Sequence, residues 1–212
     1  LGVKIDCPAP VMDRCLAEIG IAFLFAPTLH PAMKFAIGPR REIGIRSIFN
    51  ILGPLSNPAG ARHGVLGVYS EALVTTLAQA AAALGARHLY VVHGRDGLDE
   101  ITTTTSSLIG EVRDGQVRVF ELTPADLGLS TASRQDLTGG DPAQNAGIIR
   151  AIFDGAKGPQ RDIVLLNSAA AIVAGGKARD LKEGVAAAAK SIDSGAARAK
   201  MKKLAELSNR TE

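Results

Sequence analysis

The stretch "HGVLGVYSEALVTTLAQAAAALGARHLYVVHG", residues 63–94, decides the fold. Two short apolar runs, 63–70 and 88–94, flank an alanine- and leucine-rich segment of helical length. Ser70 stands where a helix N-cap is expected, and Gly85 stands where the helix should end. A strand, a helix and a strand at this spacing predict a right-handed crossover between two parallel strands. We therefore expect an α/β protein with a mostly parallel central sheet flanked by helices.

The sequence after this unit predicts one hairpin and several helices. Asp114-Gly115 separates two alternating runs within 107–122, which is a strong hairpin signal. The stretch "RDIVLLNSAAAIVAGG", residues 161–176, is expected to run from a buried strand into a helix of small residues. Helical spacing predicts two terminal helices, over 179–194 and 196–207.

The sequence before this unit predicts a helix over 9–19 and a short buried strand over 21–26. Helical pieces interrupted by Gly-Pro breaks follow, and we assign 28–57 to a partial small helical subdomain. The large α/β domain then comprises 1–27 and 58–212. Because the chain opens on "LGV", which resembles a helix end with its glycine stop, we expect it to be a fragment.

Composition excludes several classes of function. The 212 residues carry a net charge of +3, and their Lys and Arg are scattered except near the C-terminus, which does not favour nucleic-acid binding. Such a mild positive charge suits an enzyme of anionic substrates. No apolar run approaches the ~20 residues that span a bilayer, and Cys7 and Cys15 lie outside any CxxC pattern. We expect free thiols, a cytoplasmic protein and no membrane partner.

An acidic pair, Asp99 and Glu100, follows a glycine-rich turn after the second predicted strand. Carboxylates at the carboxyl end of a parallel strand are well placed to hold Mg²⁺, which prefers hard oxygen ligands and substrate phosphates. From the residues alone, a solvated charged loop is an equal alternative. The run Thr102–Thr105 behind the pair could bind phosphate, but β-branched residues entering a strand are the favoured interpretation.

Other candidates leave both a structural and a functional interpretation open. His30 could cap a helix or line a pocket, and Arg40 could form a bidentate fork with a carboxylate or lie solvated on a helix. Gly53 and Pro54 could present backbone to a flat ligand or only turn the chain. The "TGGD" at 138–141 could bind phosphate, but Asp141 is already explained as a helix N-cap.

Five stretches, in order over nearly the whole chain, resemble the anthranilate phosphoribosyltransferase family: "GIAFLFAPTLHPAMK", "RREIGIRSIFNILGPLSNPA", "VVHGRDGLDEITTT", "LTGGDPAQNA" and "RDIVLLNSAAAI". The resemblance covers the C-terminal two-thirds of that family. It implies a nucleoside phosphorylase/phosphoribosyltransferase-like fold, Mg²⁺ dependence and a homodimer. It also implies transfer of the phosphoribosyl group of 5-phosphoribosyl 1-diphosphate to anthranilate in tryptophan biosynthesis.

The same resemblance assigns roles to the candidate residues. It implies that Asp99 and Glu100 bind the metal and that Arg40 meets the carboxylate of anthranilate. It places His30, Gly53 and Pro54 along the pocket or entry route of the aromatic substrate. No acid or base is assigned, because displacement at the ribose carbon needs leaving-group neutralisation and alignment of the amine instead.

The family's N-terminal helices, its "GTGGD" phosphate loop and its "KHGN" segment have no counterpart in this sequence. We therefore expect little or no transferase activity from the 212 residues alone. Two alternatives remain: a nucleic-acid-binding relative of the same fold, and a pyrimidine-nucleoside phosphorylase. Arg40 within the "HPAMK…LGPL" context favours an aromatic acid over a nucleobase.

Overall fold

The computed structural model describes residues 1–29, 35, 38, 42, 44 and 55–210. Its helices and strands, in chain order, are α1 (Ala9–Ile19), α2 (Ala26–Leu29), β1 (His63–Gly67), α3 (Ala72–Ala83), β2 (His88–Gly94), β3 (Ser107–Arg113), β4 (Gln116–Leu122), α4 (Pro142–Phe153), α5 (Pro159–Ala174), α6 (Leu181–Asp193) and α7 (Ala196–Ser208). Short 3₁₀ helices cover Pro124–Leu127 and Gln135–Leu137. None of the described helices is long and apolar enough to cross a membrane.

The chain divides into two compact units. One comprises residues 1–58 together with 195–212, and the other comprises 59–194. In the first unit, α1 and α7 bury a small core that includes the free thiols Cys7 and Cys15. The free state of these two cysteines was predicted. The assignment of 28–57 to a helical subdomain stays a prediction, because most of that segment lies outside the described residues.

The second unit contains a four-stranded sheet in the order β1-β2-β3-β4. Strands β1 and β2 are parallel, with α3 between them in sequence, which confirms the predicted strand-helix-strand unit and the α/β class. The hairpin is also confirmed: Asp114 and Gly115 have φ of 49° and 82°, as a tight turn with two left-handed residues requires. Because that hairpin adds two antiparallel pairings, the described sheet is mixed, and only β1 and β2 fit the prediction of a mostly parallel sheet.

Helices cover both faces of the sheet. On one face, buried side chains of β2 and β3 pack against Leu166, Ala170 and Val173 of α5. Successive residues of a strand point to opposite faces, so Gly110 of β3 lies toward the other layer, where a Cβ atom would meet Val74 and Ala78 of α3 at 3.1 Å. The core therefore consists of two apolar layers, one on each face of the sheet.

Two predicted strands are wrong. Residues 21–25 form neither helix nor strand, and α2 begins at Ala26. The apolar run that opens 161–176 belongs to α5, which begins at Pro159 and continues without a break to Ala174. A short continuous apolar run does not distinguish a buried strand from a buried helix. Burial at Arg161, Leu165, Leu166, Ala169, Ala170, Val173 and Ala174 has helical spacing, which resolves the ambiguity.

Candidate metal and substrate site

The loop that connects β2 to β3, residues 95–106, carries the acidic pair at the carboxyl end of β2. We call it the acidic loop. Its first turn is closed by hydrogen bonds from the Gly94 amide to the Leu98 carbonyl at 2.9 Å and from the Gly97 amide to the Gly94 carbonyl at 2.8 Å. Gly97 has a φ of 94°, a conformation that favours glycine. Asp99 and Glu100 thus follow a tight turn directly at the strand end, as predicted.

Asp96 fixes the start of the acidic loop. Its carboxylate accepts hydrogen bonds from the hydroxyls of Thr102 at 2.6 Å and Thr104 at 2.5 Å, and from the Leu98 amide at 3.2 Å. The guanidinium of Arg134 donates to the Asp96 carbonyl. Burial alone would raise the pKa of the Asp96 carboxyl, but these hydrogen bonds outweigh it and lower the pKa. Asp96 therefore stays ionised and is committed to holding the loop.

Asn167 of α5 fixes the end of the loop. Its side-chain oxygen accepts from the Ile101 amide at 2.9 Å, and its side-chain nitrogen donates to the Ile101 carbonyl at 2.8 Å. Ile101 is buried and follows Glu100 directly. The next residue is held as well, because the Thr102 amide donates to the hydroxyl of Ser107 at 2.9 Å. The backbone leaving the acidic pair is consequently fixed by side chains rather than by a strand neighbour.

Two glycines allow the loop to lie against the sheet. A Cβ atom at Gly67, the last residue of β1, would stand 1.7 Å from the carbonyl oxygen of Asp99. A Cβ atom at Gly94 would stand 2.6 Å from a carboxylate oxygen of Asp96 and 3.1 Å from the carbonyl oxygen of Glu100. The clash at Gly67 is with a backbone atom, so the observed loop path requires glycine there. At Gly94 a Cβ atom would displace the Asp96 carboxylate that holds the loop.

The carboxylates of Asp99 and Glu100 are exposed, and neither receives a hydrogen bond from the part of the chain that the structure describes. Partial burial of the Glu100 carboxyl raises its pKa, and the negative charge of Asp99 raises it further. The adjacent negative charges therefore oppose each other, and a bound cation would relieve that repulsion.

This donor set fits Mg²⁺ in part. Two carboxylates supply hard oxygen ligands, as Mg²⁺ prefers. Within the described residues, no group of three or more His, Cys, Asp or Glu side chains could hold a metal ion. Further oxygen ligands, such as water, would therefore have to complete the coordination of this ion.

The other predicted site residues, His30, Arg40, Gly53 and Pro54, lie outside the described residues. Their roles stay predictions. The "TGGD" stretch is described: Asp141 caps α4 by accepting from the Gln144 amide at 2.8 Å. This confirms its structural role as an N-cap.

Sequence reasoning missed how the acidic loop is held. The threonines were expected to enter a strand, but β3 begins only at Ser107, and the hydroxyls of Thr102 and Thr104 bind Asp96 instead. The contact of Asn167 with the loop was not predicted. The available signal was a polar amide among the apolar residues of "DIVLLNSAAA", because an amide withdrawn from water needs hydrogen-bond partners.

Comparisons with known proteins extend this description. The sequence model of the glycosyl transferase family, a/b domain, matches residues 1–198. The anthranilate phosphoribosyltransferase of Syntrophotalea carbinolica is 55% identical over 204 residues, covering 96% of this chain and 58% of the relative. That of Geobacter sulfurreducens is 55% identical over 209 residues, covering 99% of this chain and 60% of the relative.

Solved structures give the same relationship. The anthranilate phosphoribosyltransferase of Thermus thermophilus superposes with a TM-score of 0.91 at 39% identity, covering 99% of this chain and 62% of that one. The Saccharomyces cerevisiae enzyme in complex with PRPP and Mg gives a TM-score of 0.89 at 26% identity, covering 98% and 60%. The chain thus spans about 60% of the length of the curated relatives it matches.

Proposed function

Because the chain belongs to the glycosyl transferase family through its a/b domain, we propose that it acts in the transfer of a phosphoribosyl group to anthranilate. In this reaction the bond between ribose C1 and the diphosphate oxygen breaks, and a bond from C1 to the anthranilate nitrogen forms. Diphosphate leaves, and the amine loses a proton to solvent. The names of the curated relatives favour this activity over a pyrimidine-nucleoside phosphorylase or a nucleic-acid-binding protein.

One observation carries the proposal for the described residues. Asp99 and Glu100 accept no hydrogen bond from the residues that the structure describes, and they lie on a loop whose backbone is fixed on both sides, at the carboxyl end of β2. Open α/β sheets bind ligands at the carboxyl ends of their strands. In a relative solved with PRPP and Mg, the same overall fold accommodates both ligands. We assign Asp99 and Glu100 to hold Mg²⁺.

The contribution of each group follows from its chemistry. Mg²⁺, when bound, would neutralise the charge on the departing diphosphate. The fixed loop keeps the two carboxylates in place, so little ordering is needed when substrate arrives. No residue acts as acid or base in this scheme, because the leaving group departs as an anion and the amine nitrogen attacks through its own lone pair.

The proposal extends to four residues outside the described part of the chain. Arg40 meets the anthranilate carboxylate through its planar guanidinium, and His30, Gly53 and Pro54 line the aromatic pocket or its entry. The proposed assembly is a homodimer, and the proposed location is the cytoplasm. These assignments rest on the sequence motifs named above.

The test is diphosphate release that depends on anthranilate, measured with the full-length protein. Asp99→Asn should lower kcat by more than about a hundredfold, because a metal ligand is lost. Arg40→Ala should raise KM for anthranilate. Glu206→Gln, which removes an exposed carboxylate 4.0 Å from Lys202, is the matched control and should leave both constants unchanged. Full activity in Asp99→Asn would refute the metal role of the pair.

A further inference from the structure

We propose that Asn167 is a positioning residue for the acidic pair, which it orients by holding the backbone of Ile101 immediately after Glu100. The inference rests on the proposed function only in taking Asp99 and Glu100 as the metal ligands. Asn167 itself touches neither carboxylate, so it acts through the backbone.

The contact between Asn167 and Ile101 uses both polar atoms of the asparagine side chain. The oxygen of the Asn167 side chain faces the Ile101 amide at 2.9 Å, and its nitrogen faces the Ile101 carbonyl at 2.8 Å. Rotating the carboxamide by half a turn would set donor against donor and acceptor against acceptor, so only one orientation fits. A primary amide of this length makes the same two hydrogen bonds that a neighbouring strand would make.

The side chain of Asn167 is itself held in place. Its side-chain nitrogen also donates to the Ile163 carbonyl at 3.0 Å, one turn earlier in α5. Both amide hydrogens are thereby used, and the side chain is tied to the helix that carries it. Leu166, directly beside it in sequence, is fully buried against the sheet. The position of Ile101 is therefore transmitted from the core through a rigid element.

The backbone of Ile101 depends on this contact. Ile101 is 1% exposed, so its backbone amide and carbonyl cannot form hydrogen bonds with solvent water instead. Within the described residues, Asn167 is the partner that satisfies both groups. A buried backbone amide and carbonyl without partners are costly, and the loop would move to satisfy them. That movement starts one residue from Glu100.

The acidic pair cannot absorb such a movement without changing its own position. On the other side, Leu98 is held by the Asp96 carboxylate and by the Gly94 amide, and the Asp99 carbonyl lies against Gly67. Only the two acidic residues lie between the two fixed points. A shift of Ile101 therefore redirects the carboxylates themselves.

The experiment measures binding of Mn²⁺ alone to the full-length protein by electron paramagnetic resonance. Asn167→Ala and the nearly isosteric Asn167→Leu, which keeps good helix formation, should each weaken Mn²⁺ binding about tenfold, as loss of an outer-shell contact does. The Ile101 amide should also exchange with deuterium faster in both variants. Asp99→Asn should abolish binding.

Two controls separate positioning from stability. Val173→Ala creates a cavity in the core beneath the same helix, where Val173 is 3% exposed, and should lower the melting temperature without changing Mn²⁺ affinity. Asn145→Ala removes a similar amide clamp, which holds Gly140 through its amide at 2.9 Å and its carbonyl at 3.0 Å, and should also leave Mn²⁺ affinity unchanged.

Unchanged Mn²⁺ affinity in both Asn167 variants, with loss in Asp99→Asn, would overturn the positioning role and leave the proposed metal site standing. Equal weakening in Val173→Ala would show a general effect of stability and would also overturn it. Wild-type binding by Asp99→Asn would overturn the metal site, and the positioning role with it.

Discussion

Glu111 and Glu100 are two carboxylates near opposite ends of the same sheet, and they differ in burial and in hydrogen bonding. Glu111, in β3, is 8% exposed and lies opposite Tyr90 in β2 and Arg118 in β4. It accepts hydrogen bonds from His88 at 3.0 Å, from the Tyr90 hydroxyl at 3.1 Å and from Arg118 at 3.0 Å. Glu100 is exposed and has no donor among the described residues.

The pKa values of the two groups shift in opposite directions. Burial alone would raise the pKa of Glu111, but hydrogen bonds from His88, Arg118 and Tyr90 outweigh it, and the pKa falls below its ordinary value. For Glu100, burial and the charge of Asp99 both raise the pKa. The comparison teaches that a buried carboxylate with its own donors stabilises the fold, whereas a carboxylate pair without them is available to a cation.

The largest effect should come from filling the space under the acidic loop. Gly67→Ala sets a methyl group 1.7 Å from the Asp99 carbonyl, so the loop must move. We expect a loss of about 3 kcal/mol in the free energy of unfolding and a loss of metal-dependent activity. Gly64→Ala, on the same strand with nothing within 4 Å, is the control for the urea titrations. Retention of activity in Gly67→Ala would break the proposed link between loop position and function.

Removing each carboxylate should separate stability from function. Glu111→Ala leaves the buried Tyr90 hydroxyl without its acceptor and should cost about 2 kcal/mol in the free energy of unfolding. Glu100→Ala removes a charge that opposes Asp99 and should leave stability unchanged or slightly higher, while activity falls. Urea unfolding and diphosphate release measure the two effects, and similar destabilisation by both substitutions would contradict the distinction.

Lowering the pH should change the contributions of Glu111 and Glu100 to stability in opposite directions. Because the folded-state pKa of Glu111 is lowered, its stabilisation is complete above the ordinary value near 4.5 and is lost as the pH falls through the folded-state value. Between pH 6 and pH 3, Glu111→Gln should therefore lose less unfolding free energy than the wild type, because glutamine does not titrate in this range. The raised pKa of Glu100 predicts the reverse: its unfavourable charge disappears as the pH falls. Urea titrations at several pH values in this range measure the effect. If the free energy of unfolding of Glu111→Gln fell in parallel with that of the wild type, the contrast would be wrong.

The smallest effect should come from Arg118, the exposed member of the Glu111 cluster. Its side chain is 71% exposed, so its ion pair with Glu111 is weakened by solvent. Arg118→Ala removes this ion pair and the contact over the Phe120 ring. The substitution should lower the free energy of unfolding by only about 0.5 kcal/mol. If Arg118→Ala lowered the melting temperature as much as Glu111→Ala does, the Arg118 guanidinium, and not the Tyr90 hydroxyl, would be the main partner of Glu111.

Local signals in the sequence predicted much of the second unit. Two apolar runs separated by a helix identified β1 and β2, and Asp114-Gly115 identified the hairpin, because each pattern is determined by neighbouring residues. The acidic pair also lies where the sequence predicted it, after the turn that follows β2.

Long-range contacts could not be predicted in the same way. Asn167 binds Ile101 across 66 positions of the chain, and no local pattern specifies such a pairing. The apolar run at 161–166 fits a strand and a helix equally until its burial is known. Thr102 and Thr104 have strand propensity, but the Asp96 carboxylate offered their hydroxyls a better partner.

The contact between Gly67 and Asp99 also has a consequence for how this family can evolve. The backbone path at Asp99 is possible only because Gly67 has no side chain. The two positions therefore depend on each other, although they are far apart in the gene. A substitution at Gly67 would be inherited only where the acidic loop had already been rebuilt. We therefore expect lineages that changed this glycine to have changed the loop as well, and to have lost or moved the acidic pair with it.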